Sequence, residues 1–320
     1  MNIGNVELES NIVLAPMAGI TDLPVRLLAK GGGAGLVYTE MVSAKGLICG
    51  GDKTKRLLAS KAKERPVAAQ IFGGDAYCIG EAAKIVESFG ADIVDINLGC
   101  PVRKIAKSGA GAKLLADEKL VSKILEAAVK SVKIPVTIKI RTGLLPGQNI
   151  APEIINVAYN CGVKMAAVHA RPASNGHSGA PDTPAFAAAC ANAKIPVFAN
   201  GGIVDEKTAK LFFDVPNCSG FMIGRGAIGN YSIFNRIKSF FETGKISAAP
   251  SLKERLGWLK NHADLSARHY GEKKGLTVMR KVFHYYVKDL KNAAKLRDSF
   301  NKLTSYKDFE ILCQNIESGC

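Results

Sequence analysis

Residues 92–101 read Asp-Ile-Val-Asp-Ile-Asn-Leu-Gly-Cys-Pro, an apolar run that ends on Asn97 and delivers Cys100 onto a turn between a glycine and a proline. A thiol held at such a place is a positioned reactive group. As a nucleophile it needs a histidine or a helix N-terminus to depress its pKa. As a general acid it needs only to stay protonated at neutral pH, which free cysteine at about 8.5 does. No histidine is near Cys100 in sequence, and His169 is the one that ends another apolar run. The acid role is the better match; a structural thiol is the blander one.

Seven more apolar runs end on polar or glycine residues: Pro16-Met17-Ala18, Glu40, Gln70, Lys139-Ile140-Arg141, His169-Ala170-Arg171, Asn200-Gly201-Gly202 and Gly224-Arg225. Any one could be a satisfied structural group; eight at once point to one shared pocket. Gln70 offers a donor and an acceptor, as the edge of a flavin pyrimidine ring requires. Lys139 would bring an ammonium to the centre, where a fixed cation can stabilise the anionic ring of a reduced flavin; snorkelling to the rim is its alternative. Asn200-Gly201-Gly202 and Gly224-Arg225-Gly226 supply small residues, backbone N–H groups beside a helix N-terminus, and an arginine fork for phosphate oxygens. Gly224, Gly226 and Gly229 also spell G-x-G-x-x-G, but on the last run rather than the first. No acidic residue follows about 20 positions on, so a mononucleotide is expected rather than a dinucleotide.

The elements that must bring these ends together are read from periodicity. Runs of Val, Ile and Ala recur at 12–16, 36–40, 67–72, 93–97, 136–140, 166–169, 197–200 and 220–224. Their near-continuous hydrophobicity suits parallel strands buried on both faces. Three follow a proline (Pro66, Pro135, Pro196), tolerated at a strand's first residue. Helical periods fall between them, at 75–89, 113–132, 151–161 and 205–213 among others. Eight such units predict a (β/α)8 TIM barrel, an α/β fold, with a doubly wound sheet as runner-up; the barrel's active site lies at the C-terminal ends of its strands. The texture changes at 244–251, Gly-Lys-Ile-Ser-Ala-Ala-Pro-Ser, which reads as a linker. Residues 251–320 hold no strand-like run, 14 Lys/Arg against 8 Asp/Glu, and eight aromatics including the only tryptophan, Trp258. This predicts a C-terminal all-α helical domain.

Lys+Arg 43 against Asp+Glu 28 gives a net charge of +15 over 320 residues, which favours a polyanionic partner over an ordinary solvated surface. No apolar run approaches the roughly 18–20 residues of a membrane span. Residues 12–20 are broken by Pro16 and follow Glu7 and Glu9, so no secretory signal is expected either. Eight cysteines form no C-x-x-C pair and no zinc spacing; reduced thiols in a cytoplasmic protein without a metal are the expectation.

These residues resemble the tRNA-dihydrouridine synthase family, most of all its bacterial B-type branch. The motifs are Ala-Pro-Met-Ala-Gly-Ile-Thr-Asp (15–22), Thr-Glu-Met-Val-Ser-Ala (39–44), Gln-Ile-Phe-Gly (70–73), Asp-Ile-Asn-Leu-Gly-Cys-Pro-Val (95–102), Val-Thr-Ile-Lys-Ile-Arg-Thr-Gly (136–143) and Ile-Gly-Arg-Gly-Ala-Ile-Gly-Asn (223–230). They span the barrel in order; in the tail Arg280-Lys281, Tyr286 and Lys288 echo an R-K-x-x-x-x-Y-x-K pattern. The resemblance implies an FMN-binding barrel at 1–243, a linker at 244–250 and a helical tRNA-binding domain at 251–320. It implies that NADPH or NADH reduces FMN, that hydride passes to C6 of a flipped-out tRNA uridine, and that Cys100 protonates C5. FMN contacts would be Pro16, Met17, Ala18, Gln70, Lys139, Asn200, Gly201, Gly202, Gly224 and Arg225. Asn97, Arg141 and His169 would hold flavin or uracil, and Arg280, Lys281 and Lys288 the tRNA. A monomer is expected. The chain departs from the family at Ala170 and Ala173 (H-G-R-T-R), Gly202 (Asn-Gly-Asp), Pro181 and Thr183 (Ala-Asp-Trp), and, in the tail, Val282 and Tyr285. The rival reading is an FMN barrel that reduces a free pyrimidine or enone, since the same architecture serves many reactions. A catalytically dead RNA-binding protein fits less well, with Cys100 and Lys139 retained.

Overall fold

Eight parallel strands close into a ring in the computed structural model, which describes residues 1–318. Cys320, counted among the thiols above, lies outside the described residues. The strands are β1 (Ile12–Leu14), β2 (Val37–Tyr38), β3 (Val67–Phe72), β4 (Ile93–Asn97), β5 (Val136–Arg141), β6 (Ala166–His169), β7 (Val197–Asn200) and β8 (Cys218–Ile223). β8 pairs with β1, and the ring shuts through Leu14 N–H to Leu36 O and Gly35 N–H to Ile12 O, both 2.9 Å. The expected strands are all present, with β2 shorter than its apolar run. A separate pair, Val42–Ser43, joins the end of β3 instead.

Residue period 2 divides the barrel into two apolar layers. Val67, Ala69 and Ile71, and likewise Val136, Ile138 and Ile140, face outward to the helices. Val13, Leu36, Tyr38, Ala68, Ile93, Ala167, Phe198 and Met222 fill the interior, where Ile3 and Leu8 join them. Ile3 is part of an antiparallel hairpin, Asn2–Ile3 with Val6–Glu7, and Leu8 directly follows it; the hairpin stoppers the barrel at the N-terminal ends of its strands. Both faces of each strand are therefore buried, which is why the runs read as continuous rather than alternating.

The barrel helices are α1 (Leu23–Gly31), α2 (Ala44–Ile48), α3 (Ala76–Ser88), α4 (Glu118–Ser131), α5 (Ala151–Asn160), α6 (Thr183–Ala191), α7 (Glu206–Phe213) and α8 (Ile233–Thr243). The helix expected over 113–132 is split. Residues Gly111–Ala116 are 3-10, and α4 starts only after Asp117, whose side chain caps Leu120 N–H at 3.0 Å. Aspartates also cap α1, α3, α6 and α7 (Asp22, Asp75, Asp182, Asp205), satisfying donors that a helix start leaves free.

Residues 244–250 carry neither helix nor strand and are largely exposed. Beyond them lie α9 (Leu252–Tyr270), α10 (Glu272–Met279), α11 (Phe283–Val287), α12 (Ala293–Asn301) and α13 (Tyr306–Glu317). Ser251 and Ser305 open the first and last of these with reciprocal caps to Glu254 and Asp308. The helices are not a detached body. Leu256, Leu259, Met279, Phe283 and Tyr286 belong to the same apolar cluster as the barrel's outer layer. Tyr270 donates to Asp22 at 2.9 Å, and Tyr286 shares hydrogen bonds with Tyr231 of the barrel (3.2 Å) and His262 (2.9 Å). Among the described residues no helix is long and apolar enough to cross a membrane, and no group of side chains could hold a metal.

Candidate active site

A cavity of about 490 Å³ opens at the C-terminal ends of the strands, and every barrel residue given a cofactor, substrate or catalytic role above lines it. Glu40, the remaining run end, does not, its carboxylate accepting the Gly19 N–H instead. The volume is that of a pocket for a cofactor-sized molecule. The strand ladder sets the layout. Gln70 is in register with Asp95, and Asp95 with Thr137; one step higher, Asn97 matches Lys139, and Arg141 matches His169. Positions 95 and 97, like 137, 139 and 141, are two apart and project to the same inner side.

The floor is a connected set of hydrogen bonds. Gln70 Nε2 donates to Asp95 Oδ2 at 2.7 Å, and Asn97 Nδ2 to Gln70 Oε1 at 2.8 Å. Lys139 Nζ donates to Asn200 Oδ1 at 2.8 Å, whose own amide is held by Met222 O at 2.7 Å. Burial, reinforced by Arg141, pulls Lys139 down to about 7, against Asp95, which holds it up. Burial raises Asp95 to about 6, although Thr137, Gln70 and Lys139 all favour its charged form.

Cys100 is held by its backbone. Asn97 Oδ1 accepts the N–H groups of Gly99 (3.2 Å) and Cys100 (2.9 Å), which fixes the turn and leaves the half-buried thiol facing the cavity. Arg141 was expected to meet flavin or uracil, and its guanidinium also has a second task. It donates to Gly99 O at 2.8 Å, Pro172 O at 3.1 Å and Gly176 O at 2.8 Å, tying the Cys100 turn to the loop after β6.

That loop carries residues the sequence left unassigned. Arg171 Nη1 lies 3.1 Å from His169 Nε2, and its Nε donates to Gly179 O at 3.0 Å. An arginine can only donate, so His169 Nε2 accepts and the ring proton sits on Nδ1. Burial and the surrounding cations lower His169 strongly, so it is neutral. His177 stacks on it at 5.7 Å and is lowered to about 4 by burial, Arg225 and Arg141. Asp95 and Thr137 were likewise missed. Period 2 counted back from Asn97 and Lys139 would have placed both inside the barrel.

At the expected phosphate end, β8 leads into a 3-10 turn, Arg225–Ala227, whose start at Gly224 lines the cavity and carries no side-chain cap; Asp205 caps α7, and α8 starts only at Ile233. Most of the glycines answer to the fold itself. A Cβ on Gly201 (φ +109°) would lie 2.6 Å from His169 Cδ2, and one on Gly226 2.4 Å from Ile203 O. Gly224 is different: a Cβ there would have only ordinary contacts, 3.6 Å from Met17 Sδ, so its bareness leaves room toward the cavity. Lys139, Arg141, Arg171 and Arg225 line the space and no Asp or Glu does, so the cavity favours an anion. The donor set and Gly224 thus fit a planar heterocycle with a phosphate tail.

Arg280, Lys281 and Lys288 are outside the cavity lining. All three are exposed, and none is paired with a carboxylate among the described residues. Lys281 reaches the barrel rim, its Nζ 3.2 Å from where a Cβ on Gly19 would stand.

The (β/α)8 barrel is a fold shared by many sequences. The old yellow enzyme homologue of Zymomonas mobilis has the same fold, with a TM-score of 0.55 over 80% of this chain and 94% of its own at 13% identity. The model of the dihydrouridine synthase family matches residues 13–318, and the chain belongs to that family. It is 38% identical over 302 residues to a probable tRNA-dihydrouridine synthase of Rickettsia conorii, covering 94% of this chain and 91% of the relative. It is 36% identical over 318 residues to tRNA-dihydrouridine synthase B of Pseudomonas putida, covering 99% and 94%.

Proposed function

We propose that this chain is an FMN- and NAD(P)H-dependent tRNA-dihydrouridine synthase. The observation that carries the reading is the Cys100 thiol, held by Asn97 over a cavity floored by Gln70 and Lys139. When bound, FMN would supply the chemistry of reversible hydride transfer, between a nicotinamide (NADPH or NADH) and C6 of a uracil. Gln70 would meet the pyrimidine edge of the flavin, Lys139 would face its developing negative charge, and Arg225 with the Gly224 turn would hold the phosphate. Pro16, Met17, Ala18, Asn200, Gly201 and Gly202 complete the walls. Neutral His169, its proton on Nδ1, would orient flavin or uracil, and Asn97 and Arg141 would keep the Cys100 turn against the base. Cys100 Sγ–H gives its proton to C5, so one proton and one hydride saturate the 5,6 bond. A stacked base cannot enter the cavity, so the uridine must flip out. Arg280, Lys281 and Lys288 of the 251–320 region would grip tRNA phosphates, which position without reading sequence.

The test uses unmodified tRNA and NADPH. The purified protein should release FMN on denaturation and form dihydrouridine. Cys100→Ala should retain FMN and its reduction by nicotinamide while uridine reduction falls by about 10²–10⁴-fold, the usual worth of a general acid. Near-normal dihydrouridine formation by Cys100→Ala would remove the thiol from the mechanism.

A further inference from the structure

A chain of hydrogen bonds runs beneath the cavity between β5 and the Cys100 turn, with the donors on both sides converging on Asp95. Thr137 Oγ1 donates to Asp95 Oδ1 at 2.6 Å, and Gln70 Nε2 to Asp95 Oδ2 at 2.7 Å. Asn97 Nδ2 donates to Gln70 Oε1 at 2.8 Å, and Asn97 Oδ1 accepts the N–H groups of Gly99 and Cys100. Thr137, Asp95, Gln70 and Asn97 are all buried, so no bulk water repairs a mismatch. The two backbone N–H groups can only donate. Asn97 must therefore face them with its oxygen, Gln70 must face Asn97 with its oxygen, and residue 95 must accept from Gln70. An ionised carboxylate has no hydrogen and permits only this arrangement; an amide or a protonated acid permits the reverse. Lys139 faces the carboxylate and favours its charge, while the phenol of Tyr38 packs near it.

We propose that Asp95 is a positioning residue whose acceptor-only carboxylate fixes the amide orientations of Gln70 and Asn97, and through them the turn that aims the Cys100 thiol. The proposal rests on the reaction above for the thiol's purpose, and on geometry alone for the chain itself. It also explains why a buried carboxylate sits where a neutral side chain would avoid desolvation.

A double-mutant cycle between positions 95 and 97 tests it. Asn97→Asp keeps an oxygen for the backbone N–H groups but turns its second oxygen on Gln70 Oε1. Gln70 cannot flip to relieve this, because Asp95 also demands a donor. Adding Asp95→Asn frees the whole chain to reverse. The new amide donates to Gln70, Gln70 donates to the new carboxylate, and Thr137 still has an oxygen to meet. Asp95→Asn should thus lower kcat for uridine reduction, per bound flavin, by about tenfold or more in the wild-type background. In the Asn97→Asp background the same change should raise it by a similar factor, and the KM for tRNA should stay within about twofold throughout. A double variant no better than Asn97→Asp, or a harmless Asp95→Asn in the wild type, overturns the proposal. If a single variant does not fold, the melting midpoint of the double variant decides the matter instead: folding restored supports the chain, folding still lost refutes it. Should the wild-type protein reduce no uridine, the proposed reaction falls, and the sign reversal read in melting midpoints still decides the role of Asp95 in the chain.

Discussion

Lys139 is where the site's electrostatics are most exposed to measurement. Its folded pKa, about 7, lies below the ordinary 10.5, so between those values the unfolded chain binds more protons than the folded one. Stability then rises with pH across that window. Lys139→Met should remove this contribution, giving a flatter rise in urea-unfolding free energy between about pH 7 and about pH 10 in protein stripped of bound cofactor. An unchanged slope would mean that the amine is not desolvated as its surroundings indicate. The sequence made Lys139, Gln70 and Cys100 legible because each lies in the last part of an apolar run or just beyond it, where strand geometry leaves only one use for a polar side chain. Asp95 and Thr137 were not legible as site residues, and Arg171 only as part of a strand end without a role, for a physical reason. Their work is done on other side chains, and the partner of a hydrogen bond is not written in local sequence. His177 sits in a loop whose path is set by Arg141 and Arg171 gripping its carbonyls, which no period reports.

At the scale of elements, the strands were read correctly and the connections less so. Hydrophobic runs mark strands buried on both faces, but the break inside 113–132 depends on Asp117 outcompeting the helix for a backbone N–H, a choice made by one side chain. The connection from α2 to β3 is secured differently, by a side chain of α1. Arg26 and Glu64 are both almost fully buried and form a two-pronged pair at 2.6 and 3.1 Å, while Arg26 also donates to Thr21 O and Ala59 O. Two buried charges that satisfy one another become a liability when one is removed. Arg26→Met should cost about 3–5 kcal/mol in reversible urea unfolding, because it leaves the Glu64 carboxylate buried and unpaired. A loss below about 1 kcal/mol would show that water reaches Glu64 and that the pair is no anchor.

For the whole molecule, the composition shift at 244–251 correctly flagged a change from strands to helices, yet composition could not show how firmly the two regions share a core. Tyr286, Phe283 and Leu259 pack into the barrel's outer layer, so removing the tail would bare an apolar face. Its contribution to binding is better probed in the full chain. Reversing the charges of Arg280 and Lys281 to glutamate should weaken tRNA binding regardless of sequence. It should also reduce the slope of log affinity against log salt by about 1–2, since each neutralised phosphate releases counterions. Wild-type affinity at several salt concentrations would move the RNA grip to the barrel rim.

The hairpin at the opposite end sets the traffic of the whole enzyme. With Ile3 and Leu8 seated among the interior side chains, the barrel is a blind vessel with one door. In the reaction proposed above, a nicotinamide and a uridine would both have to use that one door, so each would leave before the other enters. The long polyanion would wait outside while the small dinucleotide visits, and the redox state of the cofactor would record which visitor came last.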